Sequence, residues 1–309
     1  MRQLHIETPV LESSIWRADG RPVLFKIDAV QPSGSFKLRG IGLLCMEAVE
    51  NGARAIVCAS GGNAGYAAAY AGRQLGVPVV IVVPESTGPE ARAAIMRMGA
   101  RLEVHGENFD AADLHARALA ASLDAAYVHP FDHPTLWRGH ATLVDEVVAA
   151  GYVFDCVVTS VGGGGLLLGI LEGLRRNQLG HVPVIAVETE GAASLHTSLA
   201  RGSLTTLAEI SSIATSLGAR TVAEAAFNAV STQNVTSVVV SDRDALDACI
   251  RFADTHRLLV EPACGAALAA LTIHEQEFAG FSRPLVEICG GIGVSLARIE
   301  DWCREIGTK

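Results

Sequence analysis

Short runs of β-branched and aliphatic residues alternate with alanine- and leucine-rich stretches of helical period along almost the whole chain. Residues 55–59, 79–83, 101–104, 156–161, 184–188, 237–240 and 285–289 read as strands. Most are apolar along their length instead of alternating, which is the pattern of strands covered on both faces. Between them, residues 63–75, 89–98, 110–122 and 166–177 read as helices. This alternation predicts parallel βαβ units and an α/β fold class, a mostly parallel twisted sheet flanked by helices. No internal repeat, low-complexity tract or Pro/Ser linker interrupts the pattern, so two domains would be interleaved, not strung end to end.

Composition agrees with that reading and removes some functions. Half of the 309 residues are hydrophobic and only 18% are charged, enough apolar material for a sheet buried under helices. The net charge of -9 disfavours nucleic acid or an anionic membrane as a partner, so any bound anion must be held by local N–H groups and a few cations. The seven cysteines form no Cys-x-x-Cys pair, and their odd number argues against a disulfide framework. A reducing, cytoplasmic setting is expected. The first residues lack the apolar core of a signal peptide, and the most apolar stretch, 258–273, carries Glu261 and Pro262, so no membrane span is expected.

Four segments carry candidate chemistry. Lys37 lies in Ser33-Gly34-Ser35-Phe36-Lys37, after the apolar run Val23-Leu24-Phe25; a lysine amine, once neutral, forms a Schiff base with an aldehyde. Ser60-Gly61-Gly62-Asn63-Ala64-Gly65 follows a strand and opens a helix, where Ser60 and Asn63 could cap and bare N–H groups suit a carboxylate. An ordinary strand-to-helix turn would look the same. Gly162-Gly163-Gly164-Gly165 also joins a strand to a helix, and four glycines exceed what a plain turn needs, which points to a bulky anion such as phosphate. Cys289-Gly290-Gly291 closes the strand 285–289, at the edge where doubly wound sheets bind ligands, although a buried inert thiol would also sit there. The third segment, with the strand ending at Glu188, also admits a dinucleotide fold. However, leucines break Gly-x-Gly-x-x-Gly, and Ile170 stands where the P-loop lysine would follow Gly169.

Together these segments resemble the fold-type II enzymes that use pyridoxal phosphate, and among them the L-serine dehydratases, also called L-serine ammonia-lyases. Further matching stretches, in order, are Thr8-Pro9, His129-Pro130-Phe131-Asp132, Glu188-Thr189 and Val260-Glu261-Pro262-Ala263-Cys264-Gly265-Ala266-Ala267. The resemblance implies two interleaved domains, each with a mostly parallel twisted sheet: residues 1–38 and 137–309 forming the large cofactor domain, and 39–136 a small domain with the substrate loop. It implies that Lys37 bonds the cofactor covalently with Phe36 beside the ring. It also implies that Gly162, Gly163, Gly164, Gly165 and Leu166 hold the phosphate, Asn63 the phenolic oxygen, and that Cys289 faces the pyridine nitrogen. Ser60, Gly61, Gly62, Asn63 and Ala64 would take the carboxylate of an amino-acid substrate. A monovalent cation, K+ or another, would lie at Glu188, Ala192, Leu217 and Ala219, with Ser194 as an extra ligand. A homodimer is implied in the same way.

Site chemistry narrows the reaction. A thiol opposite the pyridine nitrogen limits the electron sink and favours β-elimination over transamination. The implied reaction is L-serine to pyruvate and ammonia, with L-threonine as a possible second substrate because an extra methyl is rejected only weakly. Serine racemases carry a second serine where Gly61 stands, and cysteine synthases a threonine where Ala64 stands. Biosynthetic threonine deaminases often add a regulatory domain, whereas the motifs here reach Gly291, 18 residues from the end. Arg138 replaces a glutamate frequent in mammalian-type relatives. His129 and His133 have the spacing of a helical metal pair, but Pro130 and Pro134 argue for a loop instead. Asp242 and Asp244 read as a helix cap and a first-turn acid.

Overall fold

A computed structural model describes residues 3–17 and 19–307. Its strands are β1 (Val10–Ser13), β2 (Val23–Lys26), β3 (Ile56–Ala59), β4 (Val79–Val83), β5 (Arg101–Val104), β6 (Ala126–Val128), β7 (Cys156–Ser160), β8 (Val184–Thr189), β9 (Val235–Val240) and β10 (Pro284–Glu287). Packing divides the chain into two units: Gln31–Gly139 with the segment through Ile6, and Glu7–Val30 with the chain from His140 onward. The division drawn from sequence ran at 38 and 137; the cut at Gln31 puts Lys37 in the same unit as Ser60 and Asn63.

The smaller unit holds a four-stranded parallel sheet in the order β5-β4-β3-β6. Side chains of a strand point alternately to its two faces, so β3 feeds two cores. Ile56 and Cys58 join the cluster with Ile41, Ala67, Ala68 and Ala71 from the helices Lys37–Glu50 and Asn63–Leu75. Val57 and Ala59 face the other way, onto Ala112, Ala116 and Ala120 of the helix Phe109–Ser122. Alanine on these faces lets the helices approach the sheet closely, and double coverage explains why these strands read as unbroken apolar runs.

The larger unit holds a six-stranded sheet in the order β1-β2-β10-β7-β8-β9, parallel except for the antiparallel edge strand β1. The helix Pro262–Ile273 is buried from Pro262 through Leu271; Pro262, at its start, gives up an N–H that no helical partner would meet. Phe25 in β2 packs edge-on against Trp16 and Phe252, with centroids 5.8 and 5.5 Å apart. Truncating such a ring typically costs about 3–5 kcal/mol.

Some boundaries differ from expectation. The last strand ends at Glu287, so Cys289 lies two residues past it, just before Gly290 and Gly291, which adopt φ of 76° and 142°. Ser241, not Asp242, caps the helix Asp242–His256, in a capping box with Asp244; Asp242 instead accepts hydrogen bonds from Ser212 and Ile213. Every glycine-rich segment singled out above follows the C-terminal end of a parallel strand: β3, β7 or β10. That is the edge of an open α/β sheet where ligands bind.

Candidate active site

In the smaller unit, Ser33–Ser35 form a buried turn in which Gly34, at φ 73°, donates to the Gln31 carbonyl at 2.6 Å. Lys37 does not sit in that turn: it is the first residue of the helix Lys37–Glu50, which has no side-chain cap. Its half-buried Nζ donates to the Pro130 carbonyl at 2.7 Å and lies 5.2 Å from the centre of the Phe36 ring. Pro130 follows β6, which runs parallel to β3 with Val128 beside Cys58, so the amine belongs to the same end of the sheet as the Ser60 loop.

The Ser60–Gly65 segment departs from the capping expected of it. Gly62 occupies the cap position of the helix Asn63–Leu75, with no side-chain cap, and the Ser60 hydroxyl accepts from the Gly62 N–H at 3.2 Å. Ser60 thus shapes the turn and does not cap the helix. A Cβ at Gly65 would overlap the Ser60 carbonyl oxygen, so only glycine lets the first helical turn close over the strand end. At Gly61 a Cβ would lie 2.5 Å from Thr87 Oγ1 and 2.7 Å from its Cγ2.

His129 and His133 act as turn-formers. His129 Nδ1 accepts from the Phe131 and Asp132 N–H groups at 3.2 and 2.7 Å, and His133 Nδ1 accepts from Thr135 at 3.1 Å. No cluster of metal-ligating residues exists among the described residues. Arg138 acquires a physical account: it pairs with Glu47, whose other oxygen accepts from Thr135 at 3.1 Å. This exposed ion pair ties the helix Pro134–His140 to the helix Lys37–Glu50.

In the larger unit, the tetraglycine joins β7 to the helix Gly165–Arg176. Among the described residues, no protein acceptor meets the backbone N–H groups of Gly162, Gly163, Gly164, Gly165 or Leu166. Two of these glycines also answer to packing. A Cβ at Gly162 would come within 2.9 Å of Leu217 Cα, and one at Gly164, at φ 88°, within 2.5 Å of Ala226 Cβ. The run is thus partly a consequence of tight packing, and what packing leaves is a row of unpartnered N–H groups at a helix N-terminus, the usual cradle for a phosphate.

Cys289 is 5% exposed, with Sγ 3.9 Å from the Ser160 hydroxyl. Cys264, acting through a hydrogen bond, and then burial hold its thiol well above the ordinary cysteine range, so it stays protonated. Glu188 is fully buried at the end of β8 and accepts from the Leu195 and His196 N–H groups at 2.9 and 2.7 Å. Burial outweighs those bonds and pushes its pKa up to about 7. The nearby Ser194 hydroxyl is buried without a hydrogen-bond partner. Ala192 donates to the Thr189 carbonyl at 3.0 Å, and the Ala219 N–H to the Leu217 carbonyl at 2.8 Å.

Sequence reasoning missed three contributors. The Pro130 carbonyl that receives Lys37 is a main-chain atom, which residue identity cannot flag. Thr87, which fixes Gly61 from a separate loop, carries no local signal. Glu261 accepts from Gly293 N–H at 2.6 Å and from the Ser216 hydroxyl, and Gly291 has no room for a Cβ against it. Its side chain thereby ties the turn after Cys289 to the segment that backs the tetraglycine.

The fold and these segments define a class. Residues 1–290 match the family described as pyridoxal-phosphate dependent enzyme, and the chain belongs to that family. It is 44% identical over 306 residues to human serine dehydratase-like protein, covering 96% of this chain and 93% of that one. It is 42% identical to human L-serine dehydratase/L-threonine deaminase, covering 98% and 96%. Among solved structures, a fungal L-serine ammonia-lyase from Rhizomucor miehei superposes with a TM-score of 0.91 at 35% identity, covering 98% of this chain and 99% of that one.

Proposed function

We propose that the protein is an L-serine ammonia-lyase: with pyridoxal phosphate it converts L-serine to pyruvate and ammonia, with L-threonine as a second substrate. The observation that carries the reading is the lysine amine at the head of a helix, anchored on a carbonyl, in a chain that also offers an unpartnered phosphate cradle. The residues fit the cofactor group by group. Lys37 has the amine for its aldehyde, Gly162–Leu166 the N–H groups for its phosphate, Asn63 an amide for its phenolic oxygen, and Phe36 an aromatic face. Cys289, a neutral thiol, suits a ring nitrogen that is not held as a full cation. Bound there, the cofactor withdraws electrons from the substrate and stabilises the negative charge left at Cα.

The protein's own residues do the rest. The Ser60–Ala64 loop, with an uncapped helix start, takes the substrate carboxylate. With the substrate held by the cofactor, the free Lys37 amine would remove the Cα proton, the β-hydroxyl would depart with a proton as water, and a water molecule would then release ammonia and leave pyruvate. Because Cys289 cannot form an ion pair with the ring nitrogen, charge at Cα is not held long, and the β-hydroxyl departs before the opposite face is reprotonated. Gly61 brings no acid to that face, and a side chain there would have to displace Thr87. Glu188, fully buried and met by the Leu195 and His196 N–H groups, and the unpartnered Ser194 hydroxyl suit a monovalent cation such as K+, with Ala192, Leu217 and Ala219 supplying carbonyls. A cytoplasmic homodimer completes the reading, on family likeness.

Replacing Lys37 by alanine should abolish both the absorbance of covalently held cofactor and pyruvate formation. Borohydride reduction followed by peptide mass spectrometry should find the label on Lys37. Turnover surviving in the Lys37→Ala protein, or label on another peptide, would overturn the assignment; a protein that binds NAD and remains colourless with added cofactor would point to the dinucleotide fold instead.

A further inference from the structure

Lys37 donates to a carbonyl that belongs to a turn, and that turn is built around a histidine. His129 follows β6, and its Nδ1 accepts from two successive main-chain N–H groups, Phe131 at 3.2 Å and Asp132 at 2.7 Å. A ring nitrogen that accepts carries no proton, so the ring is the neutral Nε2–H tautomer. Burial chiefly, with the charges of Arg117, Lys37 and His133 acting against that of Asp113, presses its pKa down to about 4. The far side of the turn is braced too: Trp137 Nε1 donates to the Phe131 carbonyl at 3.0 Å, and the His129 ring packs edge-on to Phe131 with centroids 4.6 Å apart. Pro130 lies between these fixed neighbours. Its own ring sets φ and it has no N–H to anchor it, so the direction of its carbonyl is decided by residues 129 and 131.

We propose that His129 is a positioning residue for Lys37: its Nδ1 holds the 130–132 turn so that the Pro130 carbonyl receives the ε-amine whenever that amine is not bonded to the cofactor. This rests on Lys37 being the cofactor lysine. One N–H given to Pro130 fixes the direction of the amine and leaves its lone pair for the substrate side. A flexible four-carbon side chain otherwise samples many rotamers, and each turnover requires the same amine to return to the same proton.

Two substitutions separate the acceptor from the ring. His129→Phe keeps an aromatic ring against Phe131 but accepts nothing, whereas His129→Asn discards the ring and keeps an oxygen where Nδ1 stood, as in an Asx turn. In His129→Phe, covalent capture of added pyridoxal phosphate by the cofactor-free protein should slow about tenfold, and kcat should fall about 10- to 100-fold with KM changed less than about threefold. His129→Asn should stay within about threefold of the parent on each measure. A His129→Phe protein that captures and turns over like the parent, or a His129→Asn protein as impaired as the phenylalanine variant, overturns the proposal. Nitrogen-15 NMR of the unsubstituted protein tests the geometry without any variant having to fold: His129 should remain the Nε2–H tautomer from about pH 8 to about pH 5, and an Nδ1–H tautomer overturns it. Borohydride labelling of the parent keeps the two ideas apart. Label absent from Lys37 sinks the functional reading, whereas label on Lys37 with an unaffected His129→Phe protein sinks only the positioning role.

Discussion

The two units offer a ligand different chemistry. Gln31–Gly139 offers side chains: the Lys37 amine, the Ser60 hydroxyl and the Asn63 amide. The segment after β7 offers only main chain, five N–H groups around four glycines that have no side chains to give. Both are glycine-rich turns that open an uncapped helix after a parallel strand, so their sequences look alike. The difference lies in what forces the glycines. Gly61 is limited by the short, movable side chain of Thr87, while Gly162 and Gly164 are limited by the Leu217 backbone and by Ala226, which cannot turn away. A loop held by side chains can be retuned for a new substrate; a cradle held by backbone cannot, and that suits the part of a cofactor shared across the whole family.

The largest effect should come from breaking the main-chain half. Gly164→Ala places a Cβ at φ 88° and 2.5 Å from Ala226 Cβ. Strain of about 1–3 kcal/mol and overpacking of similar size predict a loss of about 3–4 kcal/mol in stability. Cofactor affinity should fall with it, by about a hundredfold or more if even part of that cost falls on the N–H row. Thermal unfolding and fluorescence titration with pyridoxal phosphate measure the two separately. Unchanged affinity in a correctly folded Gly164→Ala protein would remove the cradle from the phosphate.

How much of this was readable before the fold was known follows the same division. Strands such as β4 and helices such as Asn63–Leu75 fell where the apolar pattern placed them, because both sheet faces are covered and the pattern has no exceptions. The short strands β1 and β6 were not anticipated; β1 is a half-exposed edge strand and β6 has three residues, too few to set a period. The boundary at Cys289 was misplaced because the thiol is as apolar as the strand it follows. Segments that carry a residue with one chemical use, such as Lys37, could be found from sequence. Partners that act through a carbonyl, as Pro130 does, or from a distant loop, as Thr87 does, exist only once the chain is folded.

A smaller effect should come from the side-chain half. Gly61→Ser must push Thr87 aside, and overpacking of this kind typically costs about 1–3 kcal/mol, so about 2 kcal/mol is expected with a matching loss of serine turnover. Thr87→Ala in the same protein removes the Oγ1 and Cγ2 contacts and leaves only the 3.1 Å approach to Cβ, so stability should return and an acid then stands beside the substrate. Chiral analysis of the remaining serine tells whether that acid is used. If Gly61→Ser alone is as stable as the parent, Thr87 does not enforce the glycine.

The smallest effect concerns protons, and it sets half-buried His129 of one unit against buried Glu188 of the other. His129 has a folded pKa of about 4 against an ordinary 6.5, so the unfolded chain binds the extra proton and stability rises with pH through that interval. Glu188 has a folded pKa of about 7 against 4.5, so the folded chain binds the proton and stability falls as pH rises from 4.5 to 7. Where the intervals overlap, the slopes oppose each other and the parent should show little dependence on pH from these two groups. His129→Asn leaves the glutamate slope, and its stability should fall as pH climbs through the overlap. Glu188→Gln leaves the histidine slope, and its stability should rise. Screening and relaxation limit each tilt to about 1 kcal/mol, within reach of denaturant titrations at several pH values. A bound cation favours the charged carboxylate, so potassium at constant ionic strength should reproduce the Glu188→Gln tilt in the parent protein. If potassium leaves the parent's profile unchanged, the buried carboxylate of β8 is not where a cation binds.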